Sequence, residues 1–300
     1  MKFYSHGKVL LTAEYAVLEG VKALSLPTQR GQSLTIKHHS NKTIQWQSYT
    51  DQNELWIDLV FDTAFNCIAT NKTAPEHVAS VQALLSTLNE LVPGFYQEGV
   101  KLTTSLEFPR DWGLGSSSTL INNLAQWLDI NPYLLLDKTM GGSGYDIAAA
   151  QNNSPIYYER NGYTPKVSPI DFSPEFKTQL FFVHLNQKQN SRAAISSYKK
   201  QGKIPSKIKD RLTAIGVEIA QTHDLAHFCA LLKEHEEITA SFLNQTPVQQ
   251  RLFPDFDGQI KSLGAWGGDF VLAAGNSPIN AYFKEKGFKT VIPYTDFILG

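Results

Sequence analysis

Cysteine is scarce in this chain: Cys67 and Cys229 are the only two among 300 residues. They stand far apart and outside any metal-ligand spacing, which excludes a disulfide framework and a cysteine zinc site and predicts a reduced compartment. Each thiol is read as a small buried hydrophobe. Excess charge of either sign is also missing, the formal net charge being −1. Without a basic footprint, neither nucleic acid nor a membrane surface is an expected partner, and a polyanion would have to be held by local geometry. No apolar run approaches the ~20 residues of a membrane span. The stretch MKFYSHGKVLLTAEYAVLEG is broken by His6, Lys8 and Glu14, so it lacks the unbroken core of a secretion signal, and a cytoplasmic protein is expected. Two familiar nucleotide signatures are absent as well: there is no G-x-x-x-x-G-K-[ST] and no H-R-D.

What the chain does have is enough apolar surface for an ordered protein, with 42% hydrophobic and 18% charged residues. Its length suits one large or two medium domains. Short β-patterned runs fill the first hundred residues: Val9 to Leu11, Ala23 to Leu26, Ser33 to His38, Thr43 to Gln47 and Leu55 to Phe61. A helix is predicted over His77 to Leu91, where Val81, Leu84, Leu85, Leu88 and Leu91 recur at helical spacing before Pro93 and Gly94. A strand from Gly99 to Phe108 then leads through a glycine turn into a serine-initiated helix. The second half alternates strands with several helices, a mixed α+β order without repeats. Pro174 and its polar neighbours mark a boundary, giving expected domains 1–172 and 173–300.

Glycine clusters in three places that could carry chemistry. In PRDWGLGSSST, Pro109 to Thr119, Gly113 and Gly115 permit a tight turn, and Ser116, Ser117 and Ser118 put hydroxyls and N–H groups at a helix start. That pattern suits an anion cradle, although a plain glycine turn with a serine cap reads the same way. In GAWGGDFVLAAG, Gly264, Gly267 and Gly268 suit a loop that accepts another group at its backbone, or an ordinary hairpin beside a core strand. In GSGYDIAAA, Asp146 sits at a helix start, a place that favours its ionised form and equally fits a cap.

Taken in order with the N-terminal SHGKVLLTAEYAVLEG, these segments resemble the GHMP kinase superfamily, whose members include galactokinase, homoserine kinase, mevalonate kinase and phosphomevalonate kinase. The P-x-x-x-G-L-G-S-S motif is matched by Pro109, Gly113, Leu114, Gly115, Ser116 and Ser117. Tyr15 in Glu-Tyr-Ala and the Gly267-Gly268-Asp269 triplet are most similar to phosphomevalonate kinases, while GSGYDIAAA resembles a bacterial subgroup named for its Gly-Tyr-Asp-Ile-Ala string.

The resemblance implies a two-domain α+β fold, with an N-terminal domain like the second domain of ribosomal protein S5 and a ferredoxin-like C-terminal domain. It implies ATP and Mg²⁺ as cofactors and a small-molecule acceptor from the mevalonate pathway; a homodimer is compatible with it. Pro109 and Gly113 to Ser118 are matched to the ATP phosphates, Ser117 to the metal, and Asp146 and Lys8 to the catalytic pair. Glu14, Tyr15, Gly264, Gly267, Gly268 and Asp269 are matched to the acceptor; for its phosphate the cations Arg192, Arg110 and Lys101 are candidate partners, Arg192 first because it follows Asn190 and Ser191 at what reads as a helix start. Two departures stand out. No glutamate lies between Ser117 and Asp146, which turns the expected second metal ligand to Asp137 or to Asp146 itself, or leaves the metal weakly held, and Ala13 and Trp266 replace glycines of the pattern. Phosphomevalonate is the favoured acceptor; mevalonate, the related decarboxylation chemistry, and a catalytically silent ligand-binding regulator are the alternatives.

Overall fold

Strands form where apolar and polar residues alternate, because successive side chains leave a strand on opposite faces. Ile44, Trp46 and Ser48 point inward from one strand, and Val100, Leu102, Thr104 and Leu106 from another. The computed structural model describes residues 1–71, 73–187, 191–200 and 202–300; the side chains of Ser191 and Arg192 fall outside that description. Packing divides the chain into two units, one made of 1–7, 30–110 and 115–151, the other of 8–29, 111–114 and 152–300.

The first unit draws on β1 (Lys2–Leu10), β2 (Ala23–His38), β3 (Ile44–Tyr49), β4 (Leu55–Phe61), β5 (Cys67–Thr70), α1 (Pro75–Leu91), β6 (Val100–Leu106), α2 (Ser116–Leu128), α3 (Pro132–Thr139) and α4 (Tyr145–Gln151). Its strands run in the order β5-β4-β3-β6-β2. The pair β3 and β6 is parallel and the others are antiparallel. Trp46 and Phe61 from the sheet, Leu85 and Leu88 from α1 and Leu124 from α2 share one core. Each such side chain is worth about 1.5–3 kcal/mol of burial. Helix α1 begins at Pro75, earlier than its apolar periodicity indicated, because proline at the first helical position lacks only an N–H that would go unused there.

The second unit adds β7 (Ile156–Glu159), β8 (Lys166–Pro169), β9 (Leu180–His184), α5 (Ser191–Tyr198), α6 (Ser206–Gln221), α7 (Leu225–Leu243), α8 (Val248–Leu252), β10 (Gln259–Ser262), β11 (Phe270–Ala274), α9 (Ile279–Glu285), β12 (Val291–Pro293) and α10 (Tyr294–Phe297). A four-stranded antiparallel sheet runs β10-β11-β9-β12. Every residue of β11 is buried, as a central strand covered on both faces requires.

The two strands expected on either side of Pro27 are one, β2, 16 residues long. Pro27 lies between the residues of β2 that pair with β7, up to Ser25, and those that pair with β6, from Gln32, so its missing N–H interrupts neither ladder, while its carbonyl accepts the N–H of Leu299 at 2.9 Å. The first residues of β2 pair with β7 and its last with β6. The packing units therefore interleave along the chain, whereas the boundary expected at 172/173 divides it in sequence order. No helix among the described residues is long and apolar enough to cross a membrane.

Candidate active site

The loop after β6 holds the Pro109 to Ser118 motif. Gly113 and Gly115 both adopt left-handed backbone, at φ +67° and +85°. A Cβ at Gly113 would lie 2.5 Å from Cγ of Asp269, so no larger residue fits without displacing that carboxylate. Trp112 meets the ring of Phe270 edge-on at 5.4 Å, and the carbonyl of Asp111 lies 3.3 Å from Nε2 of His184. The next carbonyl inside the turn, that of buried Leu114, accepts the backbone N–H of Lys8 at 3.1 Å. The turn and the N-terminal strand motif, separated by about a hundred residues, thus share a hydrogen bond.

Helix α2 starts directly from this turn with Gly115 as its N-cap, a residue with no side chain to close the helix end. The N–H groups of Ser116, Ser117 and Ser118 form its first turn, where the helix dipole favours an anion. Ser117 is exposed there and Ser118 buried. Behind them a buried polar network fixes the helix. Ser5 donates to Oδ1 of Asn123 at 2.7 Å and accepts from Asn122 at 2.9 Å; Asn123 donates to the carbonyl of Gln32 at 2.9 Å; and Thr119 donates to the Gln32 side chain at 2.7 Å. Gln151, at the end of α4, donates to Asn122 at 3.0 Å, so α2 and α4 are tied together. Asp146 stands half-buried in the first turn of α4, between buried Tyr145 and Ile147 and after Gly144 at φ +87°. Serine loop and aspartate therefore belong to the same packed unit.

For Mg²⁺ the expected donors are oxygens, the hydroxyl of Ser117 and the carboxylate of Asp137, both exposed. No cluster of three His, Cys, Asp or Glu side chains suited to a metal occurs among the described residues. Ser117 stands in the first turn of α2 and Asp137 in α3, and magnesium is commonly held by one or two carboxylates together with substrate phosphates and water. Arg110 stacks its guanidinium 3.6 Å over the ring of Trp56, and Lys101 lies on β6. Arg192 is in α5, with its side chain outside the described residues.

The N-terminal and C-terminal motifs expected at the acceptor meet in the second unit. Tyr15 donates its hydroxyl to the carbonyl of Ala265 at 2.6 Å, inside the Gly264 to Gly268 turn. Burial, with the charge of Glu14, pushes the Tyr15 phenol up to about 12, so it remains a donor. Gly264 and Gly267 take positive φ, 62° and 100°, and Asp269 does too, at 53°, beside Gly113. Ala13 and Trp266, found where the pattern has glycine, hold the left-handed conformation themselves at φ 64° and 50°.

Glu14, expected at the acceptor, is 0% exposed, and its carboxylate is bonded to Nζ of Lys261, itself fully buried. Burial raises the Glu14 carboxyl to about 7 against the opposing pull of Lys261. Three buried residues beside these motifs carry no local sequence mark: Lys261, His235 and Glu236. Nε2 of His235 accepts the N–H of Ala13 at 2.8 Å, and Glu236 accepts from the backbone and hydroxyl of Ser262 at 3.0 and 2.8 Å. Lys261 sits in a short mixed strand, QIKS, and the pair in α7 looks like any polar face of a helix.

With this geometry in place, solved structures supply the comparison. The fold is that of the GHMP kinases. Mevalonate kinase from Methanococcus jannaschii is 16% identical at a TM-score of 0.69, covering 97% of this chain and 96% of its own. Phosphomevalonate kinase from Streptococcus pneumoniae, solved with phosphomevalonate and AMPPNP, is 14% identical at 0.69, covering 100% and 98%. Galactokinase from Lactococcus lactis, solved with galactose, is 13% identical at 0.64, covering 95% and 87%. No family model matches the sequence, and no curated protein matches it. The neighbours are small-molecule kinases acting on different acceptors, and identities this low speak for the fold alone.

Proposed function

We propose that this protein is a magnesium-dependent kinase that moves the γ-phosphoryl group of ATP to the hydroxyl of a small mevalonate-pathway acceptor, with phosphomevalonate the first choice. One observation carries most of the argument: the Leu114 carbonyl, set between two left-handed glycines at an uncapped helix start, accepts the N–H of Lys8. Phosphoryl transfer needs cradled phosphates, neutralised charge and a positioned hydroxyl. The α2 start supplies N–H groups for the phosphates. Ser117 and Asp137 hold the metal, which when bound neutralises phosphate charge. Asp146 takes or orients the proton of the acceptor hydroxyl, and Lys8 stabilises the charge that develops. Tyr15, the Gly264 to Gly268 turn and Asp269 shape the acceptor side, Glu14 acts there through Lys261, and Arg192 pairs with the acceptor phosphate. The division into functional halves 1–172 and 173–300, a cytoplasmic location and a homodimer belong to the same proposal.

The choice of phosphomevalonate rests on Tyr15 and Asp269, which match the phosphomevalonate kinase form of both motifs. ATP consumption measured with mevalonate, phosphomevalonate, homoserine and hexoses tests it directly. Phosphomevalonate is expected to give the highest turnover, and Asp146→Asn to lower that turnover by roughly two to four orders of magnitude with ATP affinity nearly unchanged. Faster turnover on mevalonate would move the assignment to that acceptor. ATP binding without turnover on any acceptor would favour a ligand-binding regulator.

A further inference from the structure

A set of buried polar side chains lies at the middle of α7 and the end of β10. His235, Glu236 and Lys261 are all at or below 1% exposure. His235 and Lys261 hold the N-terminal motif assigned to the acceptor, and Glu236 and Lys261 hold Ser262, two residues before the Gly264 to Gly268 turn. His235 takes the N–H of Ala13; Glu236 takes the N–H and hydroxyl of Ser262, and also the N–H of Val248 at 3.3 Å; Lys261 joins Glu14 and donates to the carbonyl of Ser262 at 2.8 Å. Two adjacent helical residues therefore hold the N-terminal motif and the end of β10, and the lysine bridges the two.

The segment they grip is strained. Ala13 and Tyr15 both have φ above +60°, a region that side chains other than glycine rarely adopt. Local bonds do not explain it, since those within the turn, from Ala16 to Glu14 and from Val17 to Ala13, use the carbonyls and leave the Ala13 N–H to His235. Because Nε2 accepts that N–H, the ring is the neutral tautomer with its proton on Nδ1, which lies 3.4 Å from the hydroxyl of Thr239. At the far end of the same turn, Tyr15 closes on Ala265.

We infer that His235 is a positioning residue: its acceptor nitrogen locks the left-handed turn at Ala13, and the locked turn delivers Tyr15 to the Gly264 to Gly268 loop in the geometry that binds the acceptor. The link to acceptor binding rests on the function proposed above; the lock itself does not.

The two parts are tested separately. Amide exchange at Ala13, followed by mass spectrometry on the whole protein, is expected to be slow in the wild type and in His235→Gln, whose amide can still accept, and faster by about tenfold or more in His235→Leu. In steady-state kinetics His235→Leu should raise the acceptor KM about tenfold with the ATP KM changed less than about twofold, and His235→Gln should restore it. Ala13→Gly removes the strain, so adding it to His235→Leu should recover most of the lost acceptor affinity and keeps the test usable if the single variant folds poorly. Equal exchange in all variants would overturn the inference. So would equal rises in both KM values with no recovery in His235→Gln or on adding Ala13→Gly. A wild type inactive on every acceptor would defeat the kinase reading instead, and exchange at Ala13 would still decide the lock.

Discussion

Gly113 and Asp269 come from motifs far apart in the chain, and contact at atomic range makes each a constraint on the other. At Gly113 a side chain is opposed twice, by a φ of +67° and by the Asp269 carboxylate 2.5 Å from where a Cβ would stand. Gly113→Ala is expected to cost about 2–4 kcal/mol, the left-handed penalty plus the overpacking. Thermal or urea melts measure it. Asp269→Gly, which empties the space, should return the overpacking share in the double variant and leave the backbone share. A Gly113→Ala protein as stable as the wild type would mean that the turn relaxes freely, and the loop could not then be the rigid cradle proposed. At Ala13 and Trp266 the opposite holds: side chains persist in left-handed backbone because burial and surrounding hydrogen bonds over-determine it.

At the scale of elements, α2 is placed by polar contacts as much as by its apolar face. Asn122 and Asn123 are both 0% exposed in mid-helix, an expensive location unless every donor and acceptor is matched. They are matched to β1, β2 and α4, so the helix whose first turn is the proposed phosphate site cannot slide without breaking several bonds together. Asn123→Leu would strand the Ser5 hydroxyl and the Gln32 carbonyl. A loss of about 2–3 kcal/mol is expected in denaturant unfolding, well beyond what the change in shape would cause. A loss under about 0.5 kcal/mol, the range of ordinary surface substitutions, would mean that the network does not hold the helix.

For the molecule as a whole, the cluster around Glu14 gives stability a pH dependence of mixed sign. Burial and Lys261 hold His235 well below its usual range, so its contribution is present above the unfolded value near 6.5 and is lost as pH falls. Burial raises Glu14 to about 7 and raises Glu236, so their contribution is present below the unfolded carboxyl range and is lost as pH rises toward 7. Between about pH 4.5 and 7 the two effects oppose. His235→Gln deletes only the first, so its melting temperature relative to the wild type should rise as the buffer moves from about pH 7.5 to about pH 5. A difference that stays flat or falls would show that the imidazole is not held neutral.

How much of this was legible depends on how local each cause was. Pairing strands such as Thr43 to Gln47 and Leu55 to Phe61, the long helices α6 and α7, and the glycine turn into α2 follow from periodicity and from residues a few positions apart, so the sequence by itself determined them. The motifs of the proposed site were visible for the same reason. Only the tertiary structure decided that β2 runs through Pro27, since the residues before and after that proline pair with different strands, β7 and β6. Only it paired Tyr15 with Ala265, set Asp269 against Gly113, and bonded Glu14 to buried Lys261. Nothing near His235 in the chain marks it, because what makes it matter is the N–H of Ala13, 222 residues away, exposed by a backbone conformation that only the folded surroundings can impose.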